Sequence, residues 1–353
     1  MSVRGGTPEV LNEQTVNAPD HAAAAHHIIT WLQRSAPDRT LAAIGHRIVH
    51  GGFRYFEPMV VTDTVLEHVG ELAPYLPNHL PSQLAVTRAF RDAFPALPHV
   101  ACFDTGFHRD LPDVARLLPL PREYQRAGLR RYGFHGLSYQ FLVEELARTA
   151  GAEAANGRLV LAHLGNGASL AAVYRGRSID TTMGFTPTGG LVMGTRSGDL
   201  DPGALLYITR ERGLSFEALQ DVTNQRSGLL GVSETSSDMR ALLAAEKSDA
   251  RAADAVALFC YQARKWIGAF AAALGGLDGL VFSGGIGMHA PVIRARICEG
   301  LMHLGVKVDP ARNDSNAAVI SPQSAPVFVR VMETDEELII GRAMRRLVDG
   351  DNS

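Results

Sequence analysis

Between Leu159 and Pro202 the chain reads LVLAHLGNGASLAAVYRGRSIDTTMGFTPTGGLVMGTRSGDLDP, and no other stretch restricts the possible folds as much. An apolar run over 159–164, a small-residue turn over 165–169, a second apolar run over 170–174, an Arg-Gly-Arg turn and the segment SIDTT predict three successive strands joined by tight turns. A glycine-rich loop follows. Glycines at 165 and 167 let the backbone approach an anion closely, with His163, Asn166 and Ser169 as neighbouring donors. The later MGTRSGDLDP sets one fixed cation, Arg196, among glycines, flanked by Asp199 and Asp201. A guanidinium in such a loop suits a phosphate or carboxylate. One glycine-rich turn between strands is more often a plain connection, but two so close together point to an anion site.

Several function classes are excluded by simple counts. The 353 residues allow two domains of ordinary size with a buried core. A net charge of −3, with no basic patch interleaved with aromatics, argues against nucleic acid as a partner. The most apolar run, Gly268 to Phe282, is broken by Gly275, Gly276 and Asp278 and is too short to span a membrane. The opening MSVRGGTPEVLNEQ has no apolar signal core, so a cytoplasmic location is expected. Cys102, Cys260 and Cys298, odd in number and far apart, read as buried free thiols.

Along the chain, residues 1–19 read as a polar, aperiodic tail. Asp20 is placed to cap a helix whose Ile28, Trp31 and Leu32 share a face, with His26 and His27 solvated on it. Arg47 lies inside the apolar run Leu41–Val49, where an unpaired cation is costly, so it is either an anion ligand or half of an ion pair. Prolines in LAPYLPNHLPSQL forbid a continuous helix and put His79 on a loop. HVACFDTGFH predicts a buried strand ending at Asp104, the position where α/β folds place functional carboxylates. RRYGFHG brings Arg130, Arg131 and His135 together as a cationic cluster before a helix. Ser237 or Asp238 is a candidate cap for the next helix, and 254–274 carries an apolar stripe. GLVFSGGIGMHAP predicts strand, glycine turn and helix, a weak nucleotide signal. Near the end, Thr334 and Glu337 have capping-box spacing, which leaves Glu336 the freer carboxylate.

In order, HRIVHGG, FDTGFH, RRYGFHG, HLGNGAS, TPTGGLVMGTRSGDLDP, SSDMR, FSGGIG and TDEEL resemble the motifs of the acetate kinase family, in its acetate or propionate kinase branch. The resemblance runs from about residue 43 to 348. It implies an α/β protein of the acetate and sugar kinase, heat-shock ATPase and actin superfamily, with two ribonuclease-H-like domains around a cleft. The implied division is 1–106, completed by a C-terminal helix over 335–353, and a nucleotide-binding domain over 107–334. It further implies ATP-dependent, reversible phosphorylation of acetate or another short-chain carboxylate by a homodimer using Mg²⁺ or Mn²⁺. By motif, Asp104, His135 and Arg196 would be catalytic, and Arg47 and His79 would bind the acid. His163, Leu164, Gly165, Asn166 and Gly167 would hold the ATP phosphates. Asp238, Met239 and Arg240 with Gly284, Gly285, Ile286, Gly287 and Met288 would line the nucleoside, and Glu336 would hold the metal. A sugar kinase or actin-like ATPase fits HRIVHGG and MGTRSGD less well.

Two departures stand out. The family opens with a strand and an N-x-G-S-S-S turn that residues 1–40 do not show, so the strands near Ile44–Val49 and Val100–Phe103 are expected to lack a neighbour. Met288 and His289 replace the family's Glu-Asn. A misplaced gene start, or a shortened relative that binds nucleotide or dimerises without turnover, would each account for the first.

Overall fold

The computed structural model describes residues 2–3, 9–10, 16–35 and 41–350. Within the expected tail, β1 (Ser2–Val3) and β2 (Glu9–Val10) pair antiparallel, so that segment is not wholly aperiodic; residues 1, 4–8 and 11–15 of it lie outside the described residues. Asp20 accepts from the Ala23 amide and caps the helix His21–Ser35, as its position suggests.

Two larger sheets follow. The first has the order β3 (Ile44–Ile48), β5 (His99–Phe103), β4 (Met59–Val60), with β3 parallel and β4 antiparallel to the central β5. Among the described residues β3 is an edge, and its flank forms part of a cavity of about 520 Å³ lined by His21, His46, Arg47, His79 and Gln83. The second sheet contains β6 (Arg158–Leu164), β7 (Ala168–Tyr174), β8 (Arg177–Thr181), β9 (Gly279–Ser283) and β10 (Phe328–Val331) in the order β10-β9-β6-β7-β8. The consecutive strands β6, β7 and β8 run antiparallel because two tight turns join them, whereas β9 and β10 are reached by crossovers and run parallel to β6.

β6 shows why the sheet sits in the middle of its lobe. Leu159 and Leu161 face a cluster with Tyr139, Leu142 and Leu146, while Val160, Ala162 and Leu164 face the opposite cluster with Phe259 and Phe270. The two-residue period of a strand sends alternate side chains to the two layers, and both layers are dry. The long helix Ala250–Leu274, capped by Asp249, covers one face with Val256, Phe259, Ala263, Ile267 and Phe270, three or four residues apart. The helix Gly136–Ala150 covers the other.

The helix Glu336–Asp349 returns to the first sheet, where Ile339 and Ala343 pack on Val100, Cys102 and Leu137. Its cap differs from expectation. Asp335, not Thr334, accepts from the Leu338 amide, and Thr334 Oγ1 is buried without a hydrogen-bond partner among the described residues. The shorter reach of an aspartate at the position directly before the helix wins over the Thr334/Glu337 spacing. All three cysteines are free and buried. No described helix is long and apolar enough to cross a membrane.

Candidate active site

Strand ends and loops of both sheets deliver polar side chains to one cleft. Asp104, just past β5 and 2% exposed, receives Arg47 from β3 in a bidentate pair, Nε to Oδ1 and Nη2 to Oδ2, both at 2.8 Å. The remaining Nη1 meets Glu336 Oε2 at 3.1 Å. Burial alone would lower the Arg47 pKa, but Asp104 and Glu336 raise it, so this cation is fixed. Of the two readings open for Arg47, the ion pair is the one present. Burial, assisted by Asp104 and opposed by Arg47, pushes the Glu336 carboxyl up.

His135 sits at the N-cap of the helix Gly136–Ala150 with φ 57°, a left-handed conformation unusual for a non-glycine residue. The next residue explains how the loop is held. The Gly136 amide donates to the Asp104 carbonyl at 2.8 Å, and a Cβ on Gly136 would lie 2.2 Å from that oxygen. FDT and FHG therefore interlock through a backbone contact that requires glycine. His108 completes the arrangement, with Nε2 3.0 Å from the Phe134 carbonyl and Nδ1 2.7 Å from Ser178 Oγ.

The expected cationic cluster at 130–135 is not what forms. Arg131 donates to the Thr181 and Thr182 carbonyls, and Arg130 stacks on Phe56 and Tyr132. His135 is held neutral: burial first, then His163, Arg47, Arg196 and His108, depress its pKa well below the usual value. His163 stacks on His135 with ring centroids 4.3 Å apart, bonds Ser138 Oγ at 2.8 Å, and is pushed by burial down to about 4.

Arg196 contrasts with Arg47. It donates to the Pro187 carbonyl at 2.7 Å and has no carboxylate partner among the described residues, and burial lowers it to about 10. Asp199 and Asp201, its neighbours in sequence, serve the backbone: Asp199 accepts from Gly190, and Asp201 caps the helix Pro202–Arg212. Gly167 lies against both cleft donors, since a Cβ there would be 2.5 Å from Arg196 Nη2 and 3.3 Å from His135 Nε2. The Gly165 amide bonds the Gly167 carbonyl and closes the turn. His79, at the start of the helix Leu80–Ala93, feels Arg196, Asp104 and Arg47, with burial the larger cause of its lowered pKa.

Beside the glycine turn a cavity of about 580 Å³ is lined by Gly165, Asn166, Asp238, Arg240, Ile286 and His289, with Met239 and Gly285 also contributing. Asp238 caps the helix Met239–Ala245 and pairs with Arg240 at 2.7 Å. His163, Leu164, Gly167, Gly284, Gly287 and Met288 do not line it; Leu164 is core. The Gly287 and Met288 carbonyls accept from the fully buried Arg294, which also bonds Asn313 and Asn316. Replacing Arg294 by Met should leave these acceptors orphaned and cost about 3 kcal/mol or more. The denaturant midpoint measures this; an unchanged midpoint would contradict it. A third cavity, about 370 Å³, lies between His79, Pro187, Thr188 and Phe216, beside Ser197.

Sequence reading had no signal for His108 or Tyr139. Their partners, Ser178 and Ser169, lie far along the chain.

Two sheets direct a half-buried arginine with no carboxylate partner among the described residues, a histidine, two carboxylates and glycine-rich turns into one cleft, an arrangement suited to holding and transferring an anionic group. The acetokinase family profile matches residues 5–342, and the chain belongs to that family. It is 46% identical to an acetate kinase of Rhodopseudomonas palustris over 332 residues, 94% of this chain and 83% of the relative. An acetate kinase of Bacillus cytotoxicus is 42% identical over 95% of this chain and 86% of its own. Among solved structures, Porphyromonas gingivalis acetate kinase superposes with a TM-score of 0.86 at 34% identity, covering 98% of this chain and 89% of the other. A Francisella tularensis propionate kinase gives the same TM-score and identity over 91% and 83%.

Proposed function

We propose that this chain transfers the terminal phosphoryl group of ATP to acetate or propionate, reversibly, giving an acyl phosphate and ADP. The observation that carries the reading is Arg196: a half-buried guanidinium with no carboxylate partner among the described residues, beside His135 and Gly167, in a family of carboxylate kinases. A carboxylate acceptor is already ionised near neutral pH, as carboxyl groups titrate near ~4. No general base is needed, which suits a neutral His135 and an Asp104 already occupied by Arg47. The barrier is the repulsion of two anions, and fixed positive charge and hydrogen-bond donors oppose it. Arg196 would meet the acid and the moving phosphoryl group, and His135 would donate to the latter. Arg47 and His79 would shape the acid end.

The glycine turn and His163 would support the ATP phosphates. The cavity at Asp238–Arg240 and Gly285–His289 would take the nucleoside. A divalent metal, Mg²⁺ or Mn²⁺, suits the hard oxygen set. Glu336 and Asp104 converge on one guanidinium, and the Thr334 hydroxyl, without a hydrogen-bond partner among the described residues, lies two residues before Glu336. Mg²⁺ usually keeps several waters and substrate phosphates as ligands, so one or two carboxylates from the protein would suffice. Bound there, the metal would neutralise phosphate charge.

We further infer two domains, 1–106 completed by 335–353 and 107–334, in a cytoplasmic homodimer. The helices Pro202–Arg212 and Phe216–Gln225 bury none of their residues and leave Leu206, Tyr207 and Phe216 exposed, the face a second copy would cover. Monomer mass by light scattering would overturn the dimer.

The test is direct. The purified chain with ATP, Mg²⁺ and acetate or propionate should yield acyl phosphate trapped as hydroxamate. ATP binding by calorimetry with no hydroxamate from either acid would instead assign a nucleotide-binding protein without turnover.

A further inference from the structure

The mechanism leaves one buried hydroxyl chain unused. Tyr139 and Ser169 are both fully buried, and their oxygens are 2.5 Å apart; Ser169 Oγ is also 2.9 Å from His135 Nδ1. Tyr139 follows His135 by one helical turn, so both lie on the side of the helix facing the second sheet. Ser169 lies at the start of β7, in register with His163 and on the same face as Ala171, which packs with Tyr139.

The protons of this chain can be counted. The His163 main chain hydrogen-bonds the Tyr139 oxygen, and burial keeps the phenol protonated. The phenolic O–H is then left to donate to Ser169 Oγ. A serine hydroxyl carries one proton, and His135 Nδ1 is the remaining partner of Ser169 Oγ among the described residues, so Ser169 donates to His135 Nδ1. An imidazole that accepts at Nδ1 and is neutral carries its proton on Nε2. The opposite polarity would leave the Tyr139 proton without an acceptor among the described residues, inside a dry core. His135 Nε2 is the nitrogen that lies by Gly167 and Arg196, on the cleft side.

We propose that Tyr139 and Ser169 are positioning residues that hold His135 as the Nε2-protonated tautomer, so that its cleft-side N–H donates to the phosphoryl group in transit. This rests on the phosphotransfer reading of the same cleft. The histidine works as an oriented dipole, and the hydroxyls decide which way it points.

The tautomer is read in the whole chain by ¹⁵N-histidine NMR between pH 6 and 8, with His135 assigned from the signal lost in His135→Gln. The expected pattern is a protonated Nε2 and a bare Nδ1, constant over that range. Ser169→Ala should lower kcat by about 10- to 100-fold, and Tyr139→Phe by about 10-fold, with KM for ATP and for the acid within about twofold. In both variants the Nδ1 signal should move. An Nδ1-protonated or imidazolium His135 in the unmodified chain would overturn the proposal, and this measurement needs no variant to fold. A Ser169→Ala enzyme with normal kcat and normal melting would overturn it too. The two readings fail differently. A fully active His135→Gln would remove His135 from the phosphotransfer site. An inactive His135→Gln beside fully active Ser169→Ala and Tyr139→Phe would remove the hydroxyl chain alone.

Discussion

Arg196→Met should abolish phosphoryl transfer while leaving the protein at least as stable as before. The guanidinium loses one hydrogen bond, to the Pro187 carbonyl, and a half-buried charge with no carboxylate partner among the described residues disappears with it. Removing a charge that has no partner relieves desolvation, whereas removing half of an ion pair strands the other half. Stability should therefore stay within about 1 kcal/mol or rise, the behaviour of a residue retained for function. Activity should fall on the order of 10³-fold, since a preorganised donor aimed at developing phosphoryl charge contributes that much in comparable sites. Hydroxamate assays and thermal melts on the same preparation give both numbers. Retained turnover, or a loss of several kcal/mol in stability, would mean that Arg196 is structural. The same change at Arg47 should behave oppositely, because it would strand Asp104 and Glu336.

The second large effect is acid lability. Burial, the leading cause in each case, holds His46, His108 and His163 at about 4, His50 at about 3 and His135 well below its usual value. Their folded pKa values lie below the unfolded value near ~6.5. Between those limits the unfolded chain binds more protons than the native one, so stability is full above the unfolded value and declines as pH falls toward about 4. Each such group changes stability by up to about 1.4 kcal/mol per pH unit. Five acting together remove roughly 5 kcal/mol between pH 6 and pH 5, a large share of the stability of an ordinary domain. Melting temperatures at pH 7, 6 and 5 should drop steeply over the last interval. A flat profile from pH 7 to 5 would show that these rings take up protons without unfolding.

Local pattern carried much of the architecture. The strand–turn–strand run from Leu159 is legible because a buried strand needs an unbroken apolar face on both sides and its turns need small residues. The caps at Asp20 and Asp238 are legible because a cap bonds within three residues of itself. Thr334 and Glu337 misled, since the same spacing fits a helix starting one residue earlier than the one that forms. Arg130 and Arg131 misled for another reason. Adjacent cations look like one cluster in a string of letters, yet Arg131 found the distant Thr181 and Thr182 carbonyls, and Arg130 the rings of distant Phe56 and nearby Tyr132.

The order of motifs, which places a glycine-rich turn, an arginine loop and lone carboxylates in one chain, belongs to the sequence alone and is enough to identify the family. What only the folded molecule decides is the charge and partnership of each group. Arg47 and Arg196 are the same residue type, but the end of β5 and the C-terminal helix bring two carboxylates to the first, and none reaches the second among the described residues. Burial first, and then His163, Arg47 and Arg196 converging from distant segments, depress the His135 pKa well below its usual value. Ionisation depends on desolvation and on neighbours a few ångströms away, and those are fixed by packing between distant segments rather than by adjacency along the chain.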